Sequence, residues 1–178
     1  MVVAQRVDRS DVERELERLH PECWGWALAC TRRDRDAAHD ALQTAYVRIL
    51  SGAARYDGAS AFKTWVFGVI RRTAMEEHRR RRAADARHVE HDSFDVADGR
   101  PAADVVLEHA ERAAALESAV AMLSLRQREV LQLVFYHDMT IEAAAEVMGV
   151  SVGSARVHYD RGKKALAAHL THAPEGIQ

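Results

Sequence analysis

With 178 residues the chain can form one medium domain or two small ones, and a formal net charge of −2 gives it no global basic field. The opening stretch MVVAQRVDRSDVERE lacks the apolar core of a signal peptide, and no uncharged apolar run approaches the ~20 residues of a membrane span. Cys23 and Cys30 lie seven apart on an expected helix, where no disulfide can close, so they read as small core residues in a reducing cytoplasm.

Ser10-Asp-Val-Glu13 has the form of a capping box and opens a helix with Val12, Leu16 and Leu19 on one side. Pro21 is expected to interrupt or bend it before it resumes through Trp24, Ala27, Leu28 and Thr31. After a polar turn, Asp34 or Asp36 caps a second segment, DAAHDALQTAYVRIL. Its apolar stripe is Ala38, Ala41, Leu42, Ala45, Ile49 and Leu50, while Asp40, Gln43 and Thr44 share the opposite face. For that helix alone, plain solvation accounts for the polar face.

Gly52 and Gly58 bracket a loop, and Ser60 is the expected cap of a long helix, SAFKTWVFGVIRRTAMEEHRRRR. Phe62, Trp65, Val66, Val69, Ile70 and Thr73 form a dense stripe, so Trp65 reads as core in preference to a base-stacking platform. Residues 71–82 carry six Arg against two Glu, a run that is either a nucleic-acid contact or a solvated helix end. Residues 85–104 reverse the balance, with six acidic residues against two Arg. From about Asp85 to Ala103 there is no helical stripe, and the stretch reads as a flexible acidic linker. His88, Glu90, His91 and Asp92 within it have no matching pair at zinc-site spacing, so no metal or other cofactor is expected.

A new helix is expected from Asp104 through Val120, and Ser124-Leu-Arg-Gln127 is a second capping box. It opens LRQREVLQLVFYH, whose Val130, Leu131, Leu133, Val134 and Phe135 are too many for one face, as suits the centre of a small bundle. Thr140 then caps a short helix that Gly149 ends, and Ser151 caps the next. Ala144 and Ala145 leave room for a close crossing, and Val152, Ala155, Tyr159 and Leu166 give the second helix its buried stripe. Ser154, Arg156, Val157, His158, Asp160, Arg161, Lys163 and Lys164 face outward. This is a helix-turn-helix, and a helix of this kind fits the DNA major groove. An ordinary helical hairpin with a solvated basic face is the alternative. Residues 171–178 read as a frayed tail.

Taken together, these blocks resemble a sigma factor of bacterial RNA polymerase, of the small two-domain extracytoplasmic-function type. RDRDAAHDALQTAYVRIL is similar to the family's core-polymerase-binding helix, with Asp40 and Gln43 on its D-x-x-Q spacing and Thr44 beside them. RYDGASAFKTWVFGVIRRTA and its arginine cluster resemble the helix that recognises the −10 element, and the helix-turn-helix region resembles the domain that reads the −35 element. Arg72 stands where such proteins commonly have Asn, and Ala155 and His158 where Val and Arg are frequent; these departures bear on promoter sequence rather than class.

The resemblance implies an all-α protein with two small helical domains, 1–84 and 104–178, joined by the acidic linker at 85–103, the second a helix-turn-helix. It implies −35 contacts from Ser154, Arg156, Val157, His158, Asp160, Arg161 and Lys164, and −10 contacts from Tyr56, Asp57, Ser60, Lys63, Arg72, Arg79 and Arg80. Core RNA polymerase would meet Asp40, Gln43 and Thr44, promoter DNA would be the second partner, and an anti-sigma protein is a candidate third. No membrane partner is expected. A stand-alone helix-turn-helix regulator would leave the amino-terminal half unexplained. An enzyme built on the ten histidines finds no nucleophile–base pair, glycine-rich phosphate loop or metal-spaced cluster.

Overall fold

The structure, a computed structural model, describes residues 9–85, 116 and 118–171; the acidic linker, its histidines, the helix start expected at Asp104 and the tail from 172 lie outside them. The regular structure among the described residues is helical: α1 (Arg9–Cys30), α2 (Arg35–Leu50), α3 (Phe62–Asp85), α4 (Leu125–Leu131), α5 (Ile141–Met148) and α6 (Val152–Thr171), with residues 118–121 also helical ahead of α4. None of these helices is long and apolar enough to cross a membrane.

In α1, Leu16, Leu19, Cys23, Trp26 and Ala27 recur at helical spacing and are buried. Pro21 does not interrupt it: the helix runs through, with Pro21 on the exposed side. The ring removes one backbone donor there, and the burial of the stripe on both sides of it outweighs that loss. Ser10 is already helical rather than the cap, and Glu13 accepts a bond from Arg9 instead of closing a capping box. Cys23 is a free, buried thiol, and burial pushes it up to about 11, which leaves it a protonated core residue.

Arg32 and Arg33 turn the chain with positive φ, and Thr31 Oγ1 donates to the carbonyl of Ala27 at the end of α1. Asp34 then caps α2 by accepting from the Ala37 amide at 2.9 Å. The buried residues of α2 are Ala38, Ala41, Leu42, Ala45 and Ile49; three alanines in five let it lie close to α1 and α3. Helix α3 begins at Phe62, two residues later than Ser60, whose carbonyl is taken by the Tyr56 hydroxyl. Val66, Phe67, Val69, Ile70, Thr73 and Ala74 form its buried face. Phe67 stacks on Trp26 at 5.7 Å, and the indole Nε1 donates to the Phe67 carbonyl at 3.0 Å, so the largest side chain of this core has its polar atom satisfied.

The carboxy-terminal helices follow their caps closely. The Ser124–Gln127 capping box closes in both directions. Helix α4 then widens into a π-helical turn, Gln132–Tyr136, closed by the His137 amide on the Gln132 carbonyl at 3.2 Å. That turn buries Leu133 and His137 and leaves Phe135, expected in the core, 63% exposed. Thr140 caps α5, Gly149 ends it at φ 65° and ψ 42°, and Ser151 caps α6 through the Ser154 amide. Ala144, Ala145 and Ala155 are buried at the crossing, but Val152 is exposed and Gly162 takes the inward position instead. A Cβ on Gly162 would stand 3.0 Å from Leu131 Cδ1 and 3.3 Å from Gln127 Cβ, which measures how closely α6 lies on α4.

The two groups of helices are not held apart. Leu16, Trp26, Phe67 and Ile70 of the first share one buried cluster with Val130, Leu133, Met139, Ala144 and Met148 of the second. Helix α3 lies against α5, and α1 touches α4.

Candidate nucleic-acid interface

Three surfaces carry the candidate residues. The first is α6, pinned against α5 by Ala155 so that one side is left outward. Ser154, Arg156, Val157, Asp160, Arg161, Lys163 and Lys164 are exposed, as expected, whereas His158 is half-buried. Arg156 has only a loose contact, 3.7 Å from the Glu142 carboxylate with both side chains largely in water. Lys163 is more engaged: it lies 4.3 Å above the Tyr159 ring and 3.7 Å from Asp160, and Tyr159 in turn stacks on Phe135. The early part of the helix is therefore polar and free to approach base edges, and its later part is cationic.

The second surface combines the 51–60 loop with α3. Tyr56 is half-buried: it packs edge-on against Phe62 at 5.3 Å and beside Trp65 at 5.2 Å, and its hydroxyl holds the Ser60 carbonyl. Asp57 accepts from the Ala59 amide, and Gly58 turns at φ 75°. Tyr56, Phe62 and Trp65 form an aromatic ledge that shapes the loop. Trp65 is part of that ledge, half-buried, rather than deep core. Arg72, Arg79 and Arg80 are exposed along α3. Lys63 is not available in the same way: it pairs with Glu22 and donates to the His137 carbonyl at 2.9 Å.

The third surface is the outer face of α2. Asp40 accepts from Arg81 at 2.8 Å, Thr44 donates to Glu77 at 3.0 Å, and Gln43 is exposed beside His39. The α3 arginines are thus divided, with Arg81 drawn back onto α2 and its neighbours left outward.

Sequence reasoning missed the residues that join the two groups of helices. Arg71 donates to Glu129 through Nε at 2.7 Å and Nη2 at 3.2 Å, both side chains almost fully buried. His137 has no ring hydrogen bond and lies at right angles against the stacked rings of Trp26 and Phe67. A faint signal existed: Arg71 follows Phe67 by four, on the buried stripe of α3, and Glu129 directly precedes Val130 in an apolar helix. Fifty-eight residues separate the pair, so no local spacing could couple them.

A helix-turn-helix joined to an arginine-rich helix is the make-up of a helical DNA-binding protein. Residues 16–84 match the model of Sigma-70 region 2, and residues 113–166 match that of Sigma-70, region 4. Similar proteins include the ECF RNA polymerase sigma factor EcfG of Rhodopseudomonas palustris, 30% identical over 138 residues, covering 76% of this chain and 72% of the relative. They also include SigX of Bacillus subtilis, 26% identical with 78% and 73% covered, and SigM of Mycobacterium tuberculosis, 25% identical with 96% and 82% covered. The chain belongs to the sigma-70 family as an extracytoplasmic-function RNA polymerase sigma factor, and directs promoter-specific initiation of transcription.

Among solved structures, the fold is shared with the sigma factor RpoE of Bartonella quintana in complex with the anti-sigma factor NepR (TM-score 0.69, 21% identity, 92% of this chain and 99% of that one). It is shared too with CnrH in complex with the cytosolic domain of CnrY (TM-score 0.64, 21% identity, 96% and 94%).

Proposed function

We propose a division of labour among the three surfaces. Helix α6 docks in the major groove of the −35 duplex, with Ser154, Arg156, Val157 and Asp160 toward base edges and Arg161 and Lys164 toward phosphate. His158, half-buried, supports the helix at its edge. The loop from Tyr56 through Asp57 to Ser60, with Arg72, Arg79 and Arg80 of α3, holds unpaired −10 bases, and Lys63 joins them once its contacts with Glu22 and His137 are released. Asp40, Gln43 and Thr44 on α2 meet core RNA polymerase, which supplies the chemistry; this chain supplies specificity.

The observation that supports this reading best is the outward face of α6, where a buried alanine and two well-formed caps leave Ser154, Arg156, Val157, Asp160, Arg161 and Lys164 exposed. The domain limits follow as 1–84 and 104–178 with a linker between, and the cytoplasm as the working compartment. An anti-sigma protein is a third partner, by analogy with the two structural relatives bound to theirs. The test is transcription of genomic DNA by purified core polymerase with and without this protein. New start sites that share −10 and −35 elements are expected; an unchanged transcript set refutes the reading.

A further inference from the structure

We propose that His137 is a proton-sensitive latch: the two groups of helices close on one another around its neutral ring, and protonation of the ring opens them. The ring belongs to the second group of helices but its walls come mainly from the first. Phe67 of α3 meets it edge-on at 4.8 Å and Trp26 of α1 at 6.1 Å, and Tyr136 covers it at 4.9 Å. Gly25 of α1 lies alongside as well: a Cβ there would stand 3.5 Å from Tyr136 Cε1 and 3.9 Å from His137 Cε1, in ordinary van der Waals contact. The side chain is 0% exposed and neither ring nitrogen has a hydrogen bond. Such a site accepts an uncharged imidazole at the cost of two lost water contacts, and a charged one at far greater cost.

The charges facing the ring sharpen the argument. From α1, Glu22 Oε2 stands 3.9 Å from Nδ1, too far for a hydrogen bond, and its carboxylate is already held by Lys63. From α3, Lys63 brings its own positive charge to the His137 carbonyl. Asp138 lies in the ring's own turn, exposed. The interface's remaining buried charges, Arg71 and Glu129, are paired with each other. An imidazolium would thus share one engaged carboxylate with an ammonium group. Burial first, then Lys63, lowers His137 to about 4, against the partial opposition of Glu22 and Asp138.

The direction of the effect follows. Separation returns the ring to water and to its ordinary titration near pH 6.5. The closed form therefore binds the proton less tightly than the open form. Closure is fully favoured above about pH 6.5 and weakens as pH falls from there toward 4. At pH 5.5 the open-to-closed ratio should rise about tenfold over its value at pH 7.5. Opening would also release Lys63, which matters for −10 binding only under the function proposed above; the latch itself does not depend on that reading.

The experiment is single-pair energy transfer on the full chain, with dyes at exposed positions 51 and 169, from pH 7.5 to 5.5. Wild type should be closed at pH 7.5 and shift about tenfold toward open at pH 5.5, with helical circular dichroism unchanged. His137→Phe, which offers the same box an aromatic ring without a titratable proton, should stay closed within twofold; His137→Leu serves if the larger ring does not fit. An open chain at pH 7.5, a pH-independent distance, or the wild-type response in the variants overturns the latch. So does a His137 ring titration by NMR near 6.5 in the closed protein.

Discussion

Arg71 and Glu129 form a two-point ion pair across the junction of the two helical groups, with side-chain exposures of only 6% and 3%. Burying two charges carries a desolvation cost that their attraction only roughly offsets, so the pair says more about register than about net stability. Removing one partner is another matter. Glu129→Gln leaves Arg71 buried against a neutral amide and should cost about 3–5 kcal/mol of unfolding or closure free energy. The double change Arg71→Met with Glu129→Leu should restore most of that loss, because both groups become apolar together. Denaturant unfolding of Arg71→Met, Glu129→Leu and their combination, read as a cycle, checks it; additive losses would show that the pair is not coupled.

The α2 face can be separated from stability. Asp40 and Gln43 are exposed, and the Asp40–Arg81 pair is a surface contact screened by water. Asp40→Ala with Gln43→Ala should therefore alter unfolding free energy by no more than about 0.5 kcal/mol. Core-polymerase binding should nevertheless fall markedly. Unchanged co-purification of the double variant with polymerase would remove the assignment.

Within α6, Arg156 and Lys164 should behave differently on DNA. Arg156 is exposed one turn past the Ser151 cap, with only the 3.7 Å Glu142 contact to give up. Arg156→Ala should cost about 1–3 kcal/mol and relax preference at one −35 position. Lys164→Ala should weaken all promoters alike and lower the salt slope by roughly one. Holoenzyme binding to a −35 library at several salt concentrations separates the two, and a uniform loss for Arg156→Ala would make it a phosphate contact.

Two glycines differ in why they are needed. Gly149 sits at φ 65° with open space around it, so Gly149→Ala should cost about 1–2 kcal/mol through backbone strain alone. Gly162 is ordinary helix, where alanine would by itself gain about 1 kcal/mol. There the new methyl meets Leu131 and Gln127, and overpacking of about 1–3 kcal/mol should make Gly162→Ala a net loss. Thermal unfolding of both variants tests this. A stabilised Gly162→Ala would mean that α4 can move aside.

Much of this molecule is decided by interactions within a few residues of each other. The caps at Asp34, Ser124, Thr140 and Ser151 work because a side-chain oxygen reaches the amide three positions on, and that distance is written in the sequence. The alanine-rich stripe of α2 and the Gly149 turn are equally local, so the helices, the helix-turn-helix and the outward basic residues were legible. Where local rules compete, packing decided. Pro21 stays helical because buried residues flank it, and Phe135 is turned out because a π-helical turn directs Leu133 and His137 inward. The engagement of Lys63 by Glu22 and His137, the Arg71–Glu129 pair and the sealed His137 ring belong to tertiary structure alone. Each joins residues dozens of positions apart, and a charge or an imidazole in an amphipathic helix has no spacing that says whether water or another helix will face it.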